Sequence, residues 1–240
     1  MKAMILAAGL GKRMLPLTQH TPKPLLQVGG KSLIAHHLER LHRAGFKQVV
    51  INTAHLGEQI EATLGDGKDF GLSLYYSHED QPLETAGGII KALPLLGESP
   101  FLVINGDVWC DLPFEGFMSY GQYFDDEHLA HLLLVDNPPQ HPEGDFILDR
   151  SRPVDNRKEV FLLRNKRADS EELAYTFSGI SVLSPTLFDG CAAGSLALGP
   201  LLRNAIEGGK VSGSYYSGQW SDIGTPERLK ELDQFLSLDC

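Results

Sequence analysis

The sequence predicts an α/β fold wound around a mostly parallel β-sheet. Two observations carry this: short, uninterrupted apolar runs such as Ala3 to Ala8 and Phe101-Leu102-Val103-Ile104, and their regular alternation with amphipathic stretches as far as Asp107. An apolar run without polar alternation is the mark of a strand buried on both faces, and such strands belong to parallel sheets covered by helices. With 240 residues, 42% of them hydrophobic, the chain can build one sizeable core, so a single domain over residues 1–240 is expected.

Ala3 to Ala8 gives the first strand, which ends where Gly9-Leu10-Gly11-Lys12-Arg13 breaks the run. From Ser32 the positions Leu33, Ile34, His37, Leu38, Leu41 and Ala44 recur at three and four, predicting a helix with Ser32 as N-cap and Gly45 as its stop. Lys47 to Asn52 is the next buried strand, His55 to Leu64 a short helix, and Leu72 to Ser77 a strand rich in Leu and Tyr. Ala86 to Leu96 reads as a helix entered through Gly87-Gly88, and the strand from Phe101 ends in Asn105-Gly106-Asp107. Four strands alternating with three helices define a doubly wound sheet.

Beyond Asp107 the pattern predicts a helix over Pro113 to Phe124 and a strand over Leu129 to Val135. Asn137-Pro138-Pro139 and His141-Pro142-Glu143-Gly144 form a turn-rich loop, and Ser151 to Glu172, charged and poorly periodic, reads as short exposed strands around a mobile loop. Thr176 to Leu183 is a clean strand and Leu201 to Ile206 a helix following Gly199-Pro200. Val211 to Asp222 supplies one or two last strands, and Thr225-Pro226-Glu227 opens a terminal helix with Leu229, Leu232, Phe235 and Leu236 on one face.

The formal charge of -10 argues against nucleic acid and membrane surfaces as partners, since both are polyanions. No apolar run approaches the roughly 20 residues that span a bilayer. The apolar start is cut off at Gly9 too early for an export signal. Three cysteines without C-x-x-C spacing indicate neither a disulfide framework nor a zinc site, so a cytoplasmic location is expected. Against this acidic background Lys2, Lys12, Arg13, Lys23 and Lys31 precede the first acid, Glu39. Carboxylates kept away from one stretch mark a site for a small anion.

Gly9 and Gly11, directly after a strand, let the backbone approach a phosphate and turn its amides toward it, although the glycines alone fit an ordinary strand-to-helix turn equally. The dinucleotide fingerprint fails because Met14 holds the third glycine position, and no Gly-Lys-Ser/Thr is present for a Walker loop. Arg13 and Lys23 flanking the loop suit a polyphosphate, Arg by bidentate contact and Lys as a point charge. Asp107 follows the most apolar strand, at the carboxyl edge where ligands gather in such sheets, and so shares an edge with the glycine loop. A carboxylate there serves magnesium, which takes one or two and fills its remaining positions with water and phosphate oxygens, or else it caps the following turn. Asp222, in Trp220-Ser221-Asp222-Ile223-Gly224, stands likewise at a strand end and reads equally as a turn residue. His128 and His131, beside Asp125, Asp126 and Glu127, lack a third histidine at ligand spacing and read as a solvated face; His36-His37 reads as packing or surface. No G-x-S-x-G elbow or Cys/His pairing offers a protein nucleophile.

Taken together, Leu6-Ala7-Ala8-Gly9-Leu10-Gly11-Lys12-Arg13-Met14, Pro16-Leu17-Thr18, Pro22-Lys23-Pro24-Leu25 and Asn105-Gly106-Asp107 resemble the sugar-nucleotide pyrophosphorylases, or nucleotidyltransferases. The resemblance continues through Glu84-Thr85-Ala86-Gly87-Gly88, Gly144-Asp145-Phe146, Thr176-Phe177-Ser178-Gly179-Ile180 and Trp220-Ser221-Asp222-Ile223-Gly224-Thr225, nearly the whole chain. It implies a Rossmann-like three-layer sandwich with a mixed, mostly parallel sheet of the nucleotide-diphospho-sugar transferase type. Residues 1–110 would then hold the nucleotide and residues 111–240 the sugar phosphate. By the same resemblance Ala8, Gly9, Gly11, Lys12 and Arg13 hold the triphosphate, UTP being the one expected. Lys23 lies near the α-phosphate, and Thr85, Ala86, Gly87 and Gly88 border the nucleoside. Asn105 and Gly144 touch the sugar 1-phosphate, while Asp107 and Asp222 hold Mg2+, with Arg13, Lys23 and Asp107 as the catalytic set. Arg164-Asn165-Lys166-Arg167 is no clean match to the Glu-Lys-Pro motif of many relatives, so that role stays unassigned. Arg157, Lys158, Arg164, Lys166 and Arg167 read either as a receptor for an extra carboxylate on the sugar or as a solvated basic loop. The expected assembly is a monomer or small homo-oligomer. A non-catalytic sensor of nucleotide sugars and a dinucleotide-dependent oxidoreductase are the readings from other classes, the latter opposed by the missing glycine and ribose acid.

Overall fold

Strands and helices alternate where the apolar runs predict them. The computed structural model describes residues 1–120, 128–155, 158–167 and 170–238. Strand β1 (Ala3–Leu6) leads through three short 3-10 turns into a small antiparallel pair, β2 (Gln27–Val28) and β3 (Lys31–Ser32), and then α1 (Leu33–Arg43). The alternation continues with β4 (Gln48–Thr53), α2 (Gly57–Leu64), β5 (Ser73–His78), α3 (Glu84–Leu96) and β6 (Phe101–Asn105). After β7 (Val108–Cys110) and the short α4 (Phe117–Tyr120) come β8 (Ala130–Val135), β9 (Phe146–Asp155), β10 (Val160–Asn165) and β11 (Thr176–Leu183). The chain closes with α5 (Leu198–Glu207), β12 (Val211–Tyr215), β13 (Trp220–Asp222) and α6 (Pro226–Leu238).

Nine strands form one sheet in the order β5-β4-β1-β6-β11-β8-β12-β10-β9. The first four run parallel, β11 runs against both β6 and β8, β12 is parallel to β8, and β10 runs against its neighbours on both sides. Only β10 and β11 therefore oppose the common direction, which makes the sheet mixed yet mostly parallel. Because each strand alternates its side chains, the β1 run divides between two cores. Ala3 and Ile5 join Ile34, Leu38 and Leu41 of α1 on one face. Met4 joins Ala86, Ile89 and Ala92 of α3 and Leu198 and Leu202 of α5 on the other. Helices on both faces give the three layers. A third cluster of Met14, Leu26, Val28, Leu33, Trp109, Ile223 and Leu232 fastens α6 beneath the glycine loop and the separate two-stranded ribbon of β7 and β13.

Several elements differ from the sequence reading. Helix α3 begins at Glu84, so Gly87 and Gly88 lie inside it rather than at its entrance. They are glycines because other groups press on the helix there: a side chain on Gly87 would strike the Gly194 carbonyl, and one on Gly88 would come within 2.6 Å of Glu79 Oε1. The short exposed strands expected from Ser151 are formed: residues 151–155 complete the ten-residue β9, which pairs with β10 as the antiparallel edge of the main sheet. An edge strand is solvated beyond its first few residues, and here only Phe146, Ile147 and Leu148 are buried, so the apolar signal is brief. Ser32 precedes α1 but makes no capping bond, being held in β3. Of the helix expected over Pro113 to Phe124, a 3-10 turn at Phe114–Gly116 and α4 are formed, and the remainder lies outside the described residues. His128 and His131 are buried, not solvated; His131 bonds the hydroxyls of Ser212 (2.8 Å) and Ser214 (3.0 Å) and stacks on Tyr120. Asp125, Asp126, Glu127, Arg157 and Cys240 lie outside the described residues. Cys110 and Cys191 are free thiols, and burial pushes Cys110 up to about 11.

Candidate active site

The four parallel strands all end on one edge, and a cavity of about 570 Å³ opens there. Its walls are the chain from Leu6 to Met14, Lys23 and Pro24, the segment Pro82 to Thr85, Asn105 to Asp107, and Gly224, with Asn52 and Glu79 behind. Ala8, Gly9, Gly11, Lys12 and Arg13 therefore stand together, with both cations exposed. Gly11 takes a left-handed conformation (φ 59°) and its carbonyl accepts both the Met14 amide and the Thr18 hydroxyl at 2.8 Å. A Cβ at Gly11 would lie 2.9 Å from Thr18 Cγ2, so strain and space both demand glycine.

Sequence reasoning missed the residues that fix the loop from behind. Asn52, at the end of β4, accepts the Ala7 amide at 2.8 Å and donates to Glu79 at 2.7 Å. Glu79, only 6% exposed, accepts the Leu83 amide at 3.0 Å through its other oxygen. Buried polar groups must be paired, and this chain pairs them while tying β1, β4 and the 79–83 turn into one wall. The signal that could have found it is an asparagine closing an otherwise apolar strand on the ligand edge. Of the predicted nucleoside border, Thr85 faces the cavity. Ala86, Gly87 and Gly88 are buried in the first turn of α3, where the Ala86 and Gly87 amides donate to the Leu196 carbonyl at 2.9 and 3.1 Å.

Lys23 and Asp107 form an ion pair of 2.7 Å at the cavity wall, the lysine side chain 10% exposed and the carboxylate 41%. Distant in sequence, Asp107 and Asp222 are brought together by the β7–β13 ribbon. Asp222 pairs with Val108, and the Ile223 amide donates to the Asp107 carbonyl at 2.7 Å. Asp222 Oδ1 accepts from Gln140 at 2.7 Å and from the Arg228 guanidinium. Asn105 lies in the wall and packs on Gly179. Gly144 lies away from the wall, on the loop that carries Gln140 to Asp222; its left-handed backbone (φ 66°) packs on the Ala174 carbonyl. The basic segment is balanced locally: Arg164 pairs with Asp149 and Glu172, Lys166 with Glu143, and Lys158 donates to Ser119.

Asp107, in the turn before β7, and Asp222, at the end of β13, offer hard oxygen donors. Among the described residues no group of three or more His, Cys, Asp or Glu gathers as a protein metal cage. A divalent cation here would draw its other ligands from water and phosphate oxygens, the habit of magnesium rather than zinc. Among the described residues no helix is long and apolar enough to cross a membrane.

A family model described as "Nucleotidyl transferase" matches residues 2–237. The chain is 51% identical over 233 residues to an N-acetylmuramate alpha-1-phosphate uridylyltransferase of Neisseria meningitidis, covering 96% of each chain. It is 30% identical to the catalytic subunit beta of a mannose-1-phosphate guanylyltransferase of Drosophila melanogaster, matching 94% of this chain and 60% of that longer one. Its fold matches that of a Bacillus anthracis protein solved with sucrose and provisionally assigned as a glucose-1-phosphate thymidylyltransferase. The TM-score is 0.81 at 23% identity, over 98% of this chain and 94% of the other.

Proposed function

The chain belongs to the nucleotidyl transferase family, and from that premise we propose that it joins UTP and N-acetylmuramate α-1-phosphate into UDP-N-acetylmuramate, releasing pyrophosphate, in the recycling of peptidoglycan. The observation that carries this reading is the 51% identity extending over 96% of both chains. Residues 1–110 take the nucleotide and residues 111–240 the sugar phosphate, in the cytoplasm, with no nucleic-acid or membrane partner.

The reaction is an in-line attack by a phosphate oxygen of the sugar 1-phosphate on the α-phosphorus of the triphosphate. A phosphate monoester has its second pKa near 6 and is already mostly dianionic at neutral pH, so no general base is required. The demand is to bring two polyanions together, which is electrostatic and positional. The glycine loop presents backbone amides, Lys12 and Arg13 neutralise the triphosphate, and Lys23 moves from Asp107 to the α-phosphate. Asn105 and the Gly144 loop orient the sugar side. The family generally uses a divalent metal; Mg2+, held by Asp107 and Asp222, would withdraw charge from the phosphate oxygens when bound.

A panel of pyrophosphate-release assays crossing four nucleoside triphosphates with several sugar 1-phosphates tests the assignment. UTP with N-acetylmuramate 1-phosphate should turn over fastest. Preference for GTP with mannose 1-phosphate would move the chain to the second reading that the guanylyltransferase similarity supports. Saturable nucleotide-sugar binding without turnover on any pair would make it a sensor.

A further inference from the structure

Each carboxylate of the metal pair is already neutralised by a basic side chain. Lys23 sits on Asp107 at 2.7 Å. Arg228, in the first turn of α6, donates to the Asp222 carboxylate and, at 3.1 Å, to the Asp222 carbonyl. The turn that aims it is fixed: the Arg228 amide bonds Thr225 Oγ1 at 3.4 Å, and Ile223 and Leu232 anchor the two sides of the junction in the third core cluster. Gln140 reaches the same Asp222 oxygen at 2.7 Å from the opposite loop. The guanidinium also lies next to the cavity, because a Cβ on the wall residue Gly224 would come 3.1 Å from Arg228 Nη2 and 3.3 Å from Asp222 Oδ2.

A lone divalent cation entering this place must displace two fixed cations or bind beside them, and both are opposed by Coulomb repulsion in a partly desolvated site. A triphosphate brings the negative charge that the displaced ammonium and guanidinium then require. We propose that Arg228 is a positioning residue that, with Lys23, closes the metal position to a free divalent cation and admits the cation only together with the triphosphate. Metal and nucleotide binding are thereby coupled, and the coupling is reciprocal. This rests on the reading of Asp107 and Asp222 as metal ligands.

The test is a titration of the protein with Mn2+, with and without UTP, the protein-bound ion being read by water-proton relaxation enhancement, which separates it from the Mn2+–UTP complex that forms in solution. Wild type should bind Mn2+ weakly alone and tightly with UTP. Arg228→Met should bind Mn2+ alone about ten-fold more tightly and lose a similar factor of the enhancement by UTP. Arg228→Lys, which keeps the charge, should stay within about two-fold of wild type on the same electrostatic ground. Unchanged or weakened Mn2+ binding in Arg228→Met overturns the proposal, and so does an equal rise in Arg228→Lys, which would make shape rather than charge the cause. Asp222→Asn separates the two readings: loss of Mn2+ binding in the presence of UTP upholds the metal assignment, whereas wild-type binding removes that assignment and this proposal with it.

Discussion

The proposed reaction would place its largest catalytic demand on Asp107, and the exposure of that carboxylate bears on how its loss will appear. At 41% exposure its carboxylate supports little packing, so Asp107→Ala should fold, with a melting temperature lowered because Lys23, 10% exposed, loses its ion-pair partner. Magnesium-dependent pyrophosphate release should fall by about 10² to 10³, the scale of losing one preorganised electrostatic contact, roughly 2.7 to 4 kcal/mol. Turnover within a factor of three of wild type would end its role. Arg13→Ala should instead raise KM for UTP with a smaller change in kcat if, as proposed, the exposed guanidinium holds the triphosphate in ground and transition states alike. The place of both residues at the cavity was legible because each sits in a motif directly after a strand on the ligand edge. Asn52, Glu79, Gln140 and Arg228 were not, since what they do depends on partners brought in from distant strands and turns.

At the scale of elements, the site depends on two close approaches. Helix α3 presses against Glu79 and Asn52, and the missing side chain at Gly88 is what permits it. Gly88→Ala should push Glu79 off Asn52, loosen the Ala7 end of the glycine loop, and raise KM for UTP more than it lowers the melting temperature; an unchanged KM would separate the wall from nucleotide binding. The β7–β13 ribbon is seated by Ile223, which is wholly buried against Met14 and Trp109. Ile223→Ala should cost about 2 to 5 kcal/mol of stability in urea unfolding and impair metal-dependent turnover, since Asp222 directly precedes it at the end of β13. The alternating first half was readable because strands buried on both faces are continuously apolar. The β9–β10 edge was readable only as short exposed strands, because its residues are mostly solvated and its pairing joins Asp149 to Arg164 across two strands.

For the whole molecule, two buried imidazoles should set the acid limit of stability. Burial pushes His37 down to about 4 and His131 to about 3, while in the unfolded chain each takes a proton near 6.5. Below pH 6.5 the unfolded state therefore binds protons the folded state refuses, and stability falls with pH; at pH 5.5 the expected loss is about 1.4 kcal/mol per histidine. The carboxylates held below their usual range, Glu143, Asp149 and Glu172 among them, are surface groups that titrate at lower pH and leave this window to the histidines. Urea unfolding at pH 7.5 and 5.5 measures the drop. His37→Leu should remove about half of it. A drop of the same size in that variant would sink the assignment to His37.

The sequence by itself determined the sheet's parallel half, the glycine loop with its cations, and the edge on which Asp107 stands, because periodicity, glycine placement and strand ends are local properties of the chain. It also carried the resemblance that the family match bears out. Only the tertiary structure decided that Asp222 stands beside Asp107, that Asn52 and Glu79 hold the loop, and that Lys23 and Arg228 each rest on a carboxylate. These depend on the register of a three-residue ribbon and on where α6 docks, and those are fixed by the shared packing of Met14, Trp109, Ile223 and Leu232 rather than by any one segment.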